Sequence, residues 1–233
     1  MKPLFALSLL ILLTGCASVS SNPRPASYSQ DQLASGSQPL FDEESRLDDA
    51  GIKRVLDYQF TLPEQNRIAL LKVSVDPKWQ NYSESFAELN ESIVENFVGK
   101  ILKSSRVYDA SFLPSFLVPE QRTISYLREA AARYQADLLL LYRNKCHQFL
   151  KYRIISTDET KAICTTEMAL LDTRTGIVPF TVVSKGEFIT QKSKEEFGAR
   201  ETEKRAEMEA LAIALGEAAE KLVNFLGQVP KSN

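Results

Sequence analysis

Two kinds of hydrophobic spacing follow one another along the chain and predict strands and helices in turn. A nearly continuous apolar run over residues 67–75 is typical of a strand buried on both faces. Ser85 then begins a capping-box spacing, and apolar residues recur every three or four positions to residue 101, which predicts an amphipathic helix. A weaker strand is predicted over residues 106–117, with an interruption at Pro114.

The second half of the chain predicts another helix, three consecutive strands and a long C-terminal helix. Thr123 is the candidate N-cap of the first of these helices, and an apolar stripe over residues 193–226 predicts the second. Gly176 can adopt positive φ in the turn before the third strand. The strands are predicted over residues 138–150, 161–172 and 177–190. This order predicts an α/β fold with a mixed sheet: strand, helix, strand, helix, three consecutive strands and a long helix.

Two of the three cysteines lie on neighbouring predicted strands. If these strands form a hairpin, residues whose numbers sum to about 310 face each other, which places Cys146 opposite Cys164. A disulfide there would close a loop of about 19 residues and contribute roughly 3 kcal/mol on the chain-entropy model. The alternative is a pair of buried free thiols.

The N-terminus has the pattern of an export signal. Lys2 precedes an apolar run over residues 4–13, which is too short to cross a hydrocarbon core of about 30 Å. The run ends on Leu13-Thr14-Gly15-Cys16, which resembles the bacterial lipobox. The resemblance implies cleavage before Cys16, lipidation of Cys16 and anchoring to a membrane. Because Ala17 follows instead of aspartate, it also implies the periplasmic face of the outer membrane. The alternative is an ordinary signal peptide with a chance cysteine.

Composition along the chain indicates three parts. We expect a lipoprotein signal peptide at residues 1–15, a lipidated N-terminus and flexible tether at residues 16–46, and one periplasmic α/β domain at residues 47–233. The tether is rich in Ser, Gln and Pro and cannot bury enough apolar surface to fold. Residues 41–51 carry five acidic side chains and could form a short helix or an edge segment.

Charge and motifs exclude several functions. The net charge is −2 and the pI is about 5.7, so a nucleic-acid partner is not expected. The chain has one histidine, His147, and with Cys146 and Cys164 it would supply only three metal ligands. Cys146 and His147 are also adjacent in a strand, so their side chains point to opposite faces of the sheet. We therefore expect no metal, no cofactor and no enzymatic activity. An envelope hydrolase with paired carboxylates is the remaining enzymatic alternative.

Two groups of residues are candidates for partner binding. Trp79 and Tyr82 follow the first strand and are either interface anchors or a buried staple for the next helix. Arg200 and Lys204 belong to a charged stretch at the start of the last helix, which is either a solvated face or a docking face.

The order of elements and three stretches of sequence resemble a known group of envelope lipoproteins. These stretches are residues 133–140 (RYQADLLL), residues 170–176 (LLDTRTG) and the Ala-rich C-terminal helix. They resemble the fold of the TolB N-terminal domain, which CsgG-type curli-secretion and LpoB-type peptidoglycan-synthase-activating lipoproteins share. The resemblance implies a periplasmic domain that binds another envelope protein. The N-terminal lipid anchor would attach this domain to the membrane, and the lack of a catalytic motif indicates a non-enzymatic role. The alternative is a self-assembling ring or secretion-channel component of the CsgG type, and hence a homo-oligomer.

Overall fold

The computed structural model describes residue 40 and residues 46–73, 84–151, 159–191 and 198–232. In this part of the chain a single five-stranded sheet has the strand order β2-β1-β3-β4-β5. Strand β1 is parallel to β2 and β3, whereas β3, β4 and β5 are antiparallel neighbours. The strands are β1 (Asn66–Lys72), β2 (Val107–Phe112), β3 (Leu138–Lys151), β4 (Glu159–Asp172) and β5 (Phe180–Gln191). The helices are α1 (Asp49–Asp57), α2 (Glu84–Leu102), α3 (Ile124–Arg133) and α4 (Ala199–Gln228), with a 3-10 turn at Ser115–Leu117. The predicted α/β class with a mixed sheet is confirmed.

Helices cover both faces of the sheet where β1 and β3 pair. Helices α2 and α4 pack on one face, and the predicted apolar stripes of both helices enter the larger core. Helix α3 packs on the other face through Ile124, Leu127 and Ala131. Burial from both sides explains why β1 and the first half of β3 consist of nearly continuous apolar residues.

Asp137 fixes the junction between α3 and β3. Its carboxylate accepts a hydrogen bond of 2.8 Å from the backbone N–H of Arg67 and pairs with Arg174 in the turn after β4. The Arg67 guanidinium lies 4.2 Å from the ring centroid of Tyr134 and donates to Asp109. Desolvation is the largest single effect and opposes the charged form. The Asp109 hydrogen bond and the electrostatic attraction of Tyr134, Asp109 and Tyr108 together exceed it and raise the pKa of Arg67. The stretch at residues 133–137 (RYQAD) therefore has a structural role, because Tyr134 and Asp137 join the end of α3 to β1 and to the turn after β4.

Several predicted boundaries differ from the structure for identifiable reasons. Strand β2 ends at Phe112, before Pro114, and β5 begins at Phe180, directly after Pro179. Thr123 does occupy the N-cap position of α3, but its side chain makes no capping hydrogen bond. The turn prediction is confirmed, since Gly176 has φ +77°.

Most of the N-terminal region lies outside the described part of the chain. Residues 1–39, which include Cys16, lie outside the described residues, as do residues 41–45. Asp48 caps α1 by accepting 2.7 Å from the N–H of Gly51, so the end of the acidic stretch is helical. No helix among the described residues has the length and apolarity needed to cross a membrane.

Candidate protein-binding surface

Three strands of the sheet project beyond the layer that the helices cover on both sides. Strand β1 ends at Lys72, which pairs with Tyr142, and β3 then continues to Lys151. Residues 143–151 of β3 pair with 159–167 of β4, which in turn pair with 183–191 of β5. We call this three-stranded projection the blade.

A disulfide crosses the middle of the blade. Cys146 and Cys164 face each other in the β3–β4 register and are bonded, with a Cα–Cα distance of 4.1 Å. Every β3–β4 pair has residue numbers that sum to 310, as the sequence predicted. The bridge therefore holds the hairpin in register at the point where β3 has lost β1 as a neighbour.

A seam of small residues lets α4 approach the blade very closely. The row Cys146, Cys164, Gly186 lies beneath Ala206, Ala210 and Ala214 of the helix. A Cβ atom on Gly186 would lie 1.9 Å from the carbonyl oxygen of Ala210, so only glycine fits. Sequence reasoning missed this seam, although the alanines recur at every fourth position opposite a lone strand glycine.

Glu207 connects the start of α4 to β3. Its carboxylate accepts 2.6 Å from Nε2 of Gln148 and lies 3.2 Å from Nζ of Lys204. The side chains of Lys204 and Glu207 are only 12% and 13% exposed, so the expected solvated face is not present at these two positions. Arg200 is exposed and is the better placed of the two predicted docking residues.

Beyond Tyr142, the edge of β3 that faces away from β4 is unpaired in the part of the chain that the structure describes. A Cα–Cα distance of 4.1 Å is typical of a non-hydrogen-bonded antiparallel pair, so the backbone groups of Cys146 point away from β4. The backbone of Tyr142 is oriented in the same way, because its carbonyl accepts a hydrogen bond of 2.9 Å from the N–H of Val73 on the side away from β4. Backbone direction alternates along a strand, so the N–H and C=O groups of Asn144, Gln148 and Leu150 also point away from β4. Beyond Tyr142, four consecutive even-numbered residues therefore present N–H and C=O groups along an open edge.

The side of the blade opposite α4 is an open face. Four of its cross-strand rows carry the odd-numbered residues from Arg143 to Phe149 and their partners on β4 and β5, and none of these twelve side chains is buried. They are Arg143, Lys145, His147, Phe149, Lys161, Ile163, Thr165, Glu167, Val183, Lys185, Glu187 and Ile189.

Charge and apolar area are concentrated on this face. Four basic and two acidic residues give a net charge of +2 on the open face, although the chain carries −2 overall. Both acidic residues are paired, Glu167 with Arg143 and Glu187 with Lys161. Phe149 is 53% exposed and Ile189 57% exposed, in one row at the far end of the face.

The other candidate residues from the sequence are Trp79, Tyr82 and His147. Trp79 and Tyr82 lie outside the described residues. His147 is exposed on the open face, and its neighbour Cys146 is engaged in the disulfide, which removes both cysteines as thiolate ligands. In the described ranges no three His, Cys, Asp or Glu residues form a group that could hold a metal ion.

No protein-family model matches the chain, and no curated protein is significantly similar to it in sequence. Solved structures of similar arrangement include a hypothetical protein from Chlamydia trachomatis, with 12% identity, a TM-score of 0.39, and coverage of 70% of this chain and 95% of that one. Rare lipoprotein B from Shewanella oneidensis has 11% identity and a TM-score of 0.31, with coverage of 70% of this chain and 94% of that one. A PelC variant from Paraburkholderia phytofirmans, solved as a dodecamer, has 14% identity and a TM-score of 0.30, with coverage of 68% of this chain and 92% of that one. At TM-scores below 0.5, these likenesses establish neither a family nor a function for this chain.

Proposed function

We propose that the chain is a lipoprotein of the outer membrane whose periplasmic domain binds another envelope protein and has no catalytic role. The binding would support assembly, secretion or cell-wall synthesis. The observation that carries this proposal is the blade, because it combines exposed apolar side chains with a strand edge that no other described residues pair with. Native proteins usually cover, shorten or interrupt such edges, so a long one is a natural site for a partner.

The position of the blade also suits a docking role. The Cys146–Cys164 bridge joins β3 and β4, and α4 packs behind the blade, so the surface is formed before any partner arrives. A preorganised surface loses little conformational entropy on binding. The apolar residues at its far end, Phe149 and Ile189, would supply the buried contact area.

The anchor is tested by replacing the cysteine of the LTGC stretch. We expect the full chain to incorporate radiolabelled palmitate and to sediment with outer membranes, whereas Cys16→Ser should do neither. Several acyl chains, each contributing about 0.8 kcal/mol per buried methylene, make attachment effectively permanent, so the difference should be nearly complete. Cys146→Ser with Cys164→Ser is the matched control and should keep the label. An unlabelled wild-type chain in the cytosol would refute the anchor and the location together.

Partner binding is tested by photo-crosslinking in intact cells. A photoreactive phenylalanine analogue at position 149 should give a crosslinked band containing a second protein. The same analogue at Ile213, which is 45% exposed on α4, should give little or none. A band whose mass is a multiple of the chain itself would favour the ring-forming alternative. Equal crosslinking from both positions, or none from position 149, would contradict binding at the blade.

A further inference from the structure

We propose that the open edge of β3 binds an extended acidic segment of the partner protein, which adds a sixth strand to the sheet. This inference rests on the proposed function, because it states how the blade would engage an envelope protein. Strand addition is a common mode of peptide recognition in which backbone hydrogen bonds supply affinity and alternate side chains supply specificity.

The backbone geometry provides a template of suitable length. Residues 144, 146, 148 and 150 each direct one donor and one acceptor outward, which corresponds to a strand segment of about eight or nine residues on the partner. Strand β1 stops level with Tyr142, so among the described residues no strand occupies this edge. The added strand would therefore continue the sheet where β1 leaves off.

The two sides of the edge differ in a way that indicates the partner's side chains. On the open face, Arg143 and Lys161 are paired with acidic residues of neighbouring strands. With Lys145 and Lys185 the face keeps a net charge of +2, which favours acidic residues at alternate positions of the added strand. On the α4 side the edge presents Gln148 and Leu150, which carry no charge. Acidic residues on one side and apolar residues on the other fit this edge.

Charge also distinguishes between an acidic partner and a second copy of this chain. The segment of β3 from residue 143 to 151 contains three basic residues and no acidic residue. Pairing two such edges would bring like charges together, which destabilises cross-strand contact. Basic residues on an edge strand are a recognised device against self-association. The basic edge therefore favours a different, acidic chain.

The test measures binding of two labelled peptides to the full-length chain in mild detergent by fluorescence anisotropy. One ten-residue peptide alternates glutamate with valine, and the other alternates lysine with valine. We expect the acidic peptide to bind at least about tenfold more tightly, with the difference decreasing at high salt. Equal binding of the two peptides, or no binding of either, would overturn the proposal.

A backbone variant tests whether the contact is strand addition. Gln148→Pro removes an outward N–H that β4 does not use, whereas Gln148→Ala loses the same bond to Glu207 but keeps that N–H. We expect Gln148→Pro to bind the acidic peptide about tenfold more weakly than Gln148→Ala. If Gln148→Pro does not fold, the pair Leu150→Pro and Leu150→Ala replaces it.

The outcomes separate this proposal from the broader one. Equal affinities of the proline and alanine variants would rule out strand addition, even if crosslinking at position 149 succeeds. Self-association in sedimentation that Gln148→Pro alone abolishes, without peptide binding, would identify the occupant as a second copy and overturn the acidic partner. Failure of palmitate labelling would leave the peptide result interpretable, because it concerns residues 1–16 only.

Discussion

Gly186→Ala is expected to lower the free energy of unfolding by about 3 kcal/mol or to force α4 away from the sheet. The added Cβ would lie 1.9 Å from the carbonyl oxygen of Ala210 and 2.7 Å from the backbone nitrogen of Ala214. These atoms belong to a helix backbone, so no side-chain rotation can relieve the contact. Urea denaturation followed by far-UV circular dichroism measures the loss.

The control for this variant is a helical glycine with open space around it. Apart from the backbone of its own helix turn, no atom of the described residues lies within 4 Å of a Cβ built on Gly99 in α2. Gly99→Ala should therefore stabilise the chain by about 0.5–1 kcal/mol through helix propensity. The two substitutions add the same methyl group and should act in opposite directions. A Gly186→Ala chain as stable as the wild type would show that α4 does not approach β5 as closely as described.

Loss of the disulfide is expected to cost about 3 kcal/mol. The bridge closes a loop between residues separated by 18 positions, and reducing it restores that freedom to the unfolded chain. Cys146→Ala with Cys164→Ala keeps the small-residue seam beneath α4 and removes only the covalent bond and the two sulfur atoms. Denaturant unfolding with and without a thiol reductant measures the difference.

The reductant provides an internal control. Wild-type protein in reductant should have nearly the stability of the double alanine variant, and the variant should not respond to reductant. A chain with Cys16→Ser retains only the two bridge cysteines, so thiol titration of that chain in denaturant should find none. Two titratable thiols, together with an unfolding midpoint that does not respond to reductant, would show that the bridge is not formed.

The candidate surface could be predicted in part from local sequence. The pairing of Cys146 with Cys164 followed from strand periodicity, because antiparallel register is arithmetic once two strands and their turn are assigned. The sequence places Arg200 and Lys204 on one charged helix face, either solvated or used for docking. Tertiary packing instead buries much of Lys204 beside Glu207. The first turns of a long helix lie over the blade, and helical periodicity alone does not show which residues another element covers.

The amino-acid sequence by itself determined the order and type of the elements from β1 to α4, the mixed α/β class and the register of the β3–β4 hairpin. These properties follow from local spacing, capping and turn chemistry, which act over a few residues. Only the tertiary structure decided that β1 ends at Lys72, opposite Tyr142, that the edge of β3 beyond Tyr142 has no neighbour among the described residues, and that Gly186 admits α4. Those features depend on the relative lengths of strands distant in sequence and on the close contact of a helix with a sheet.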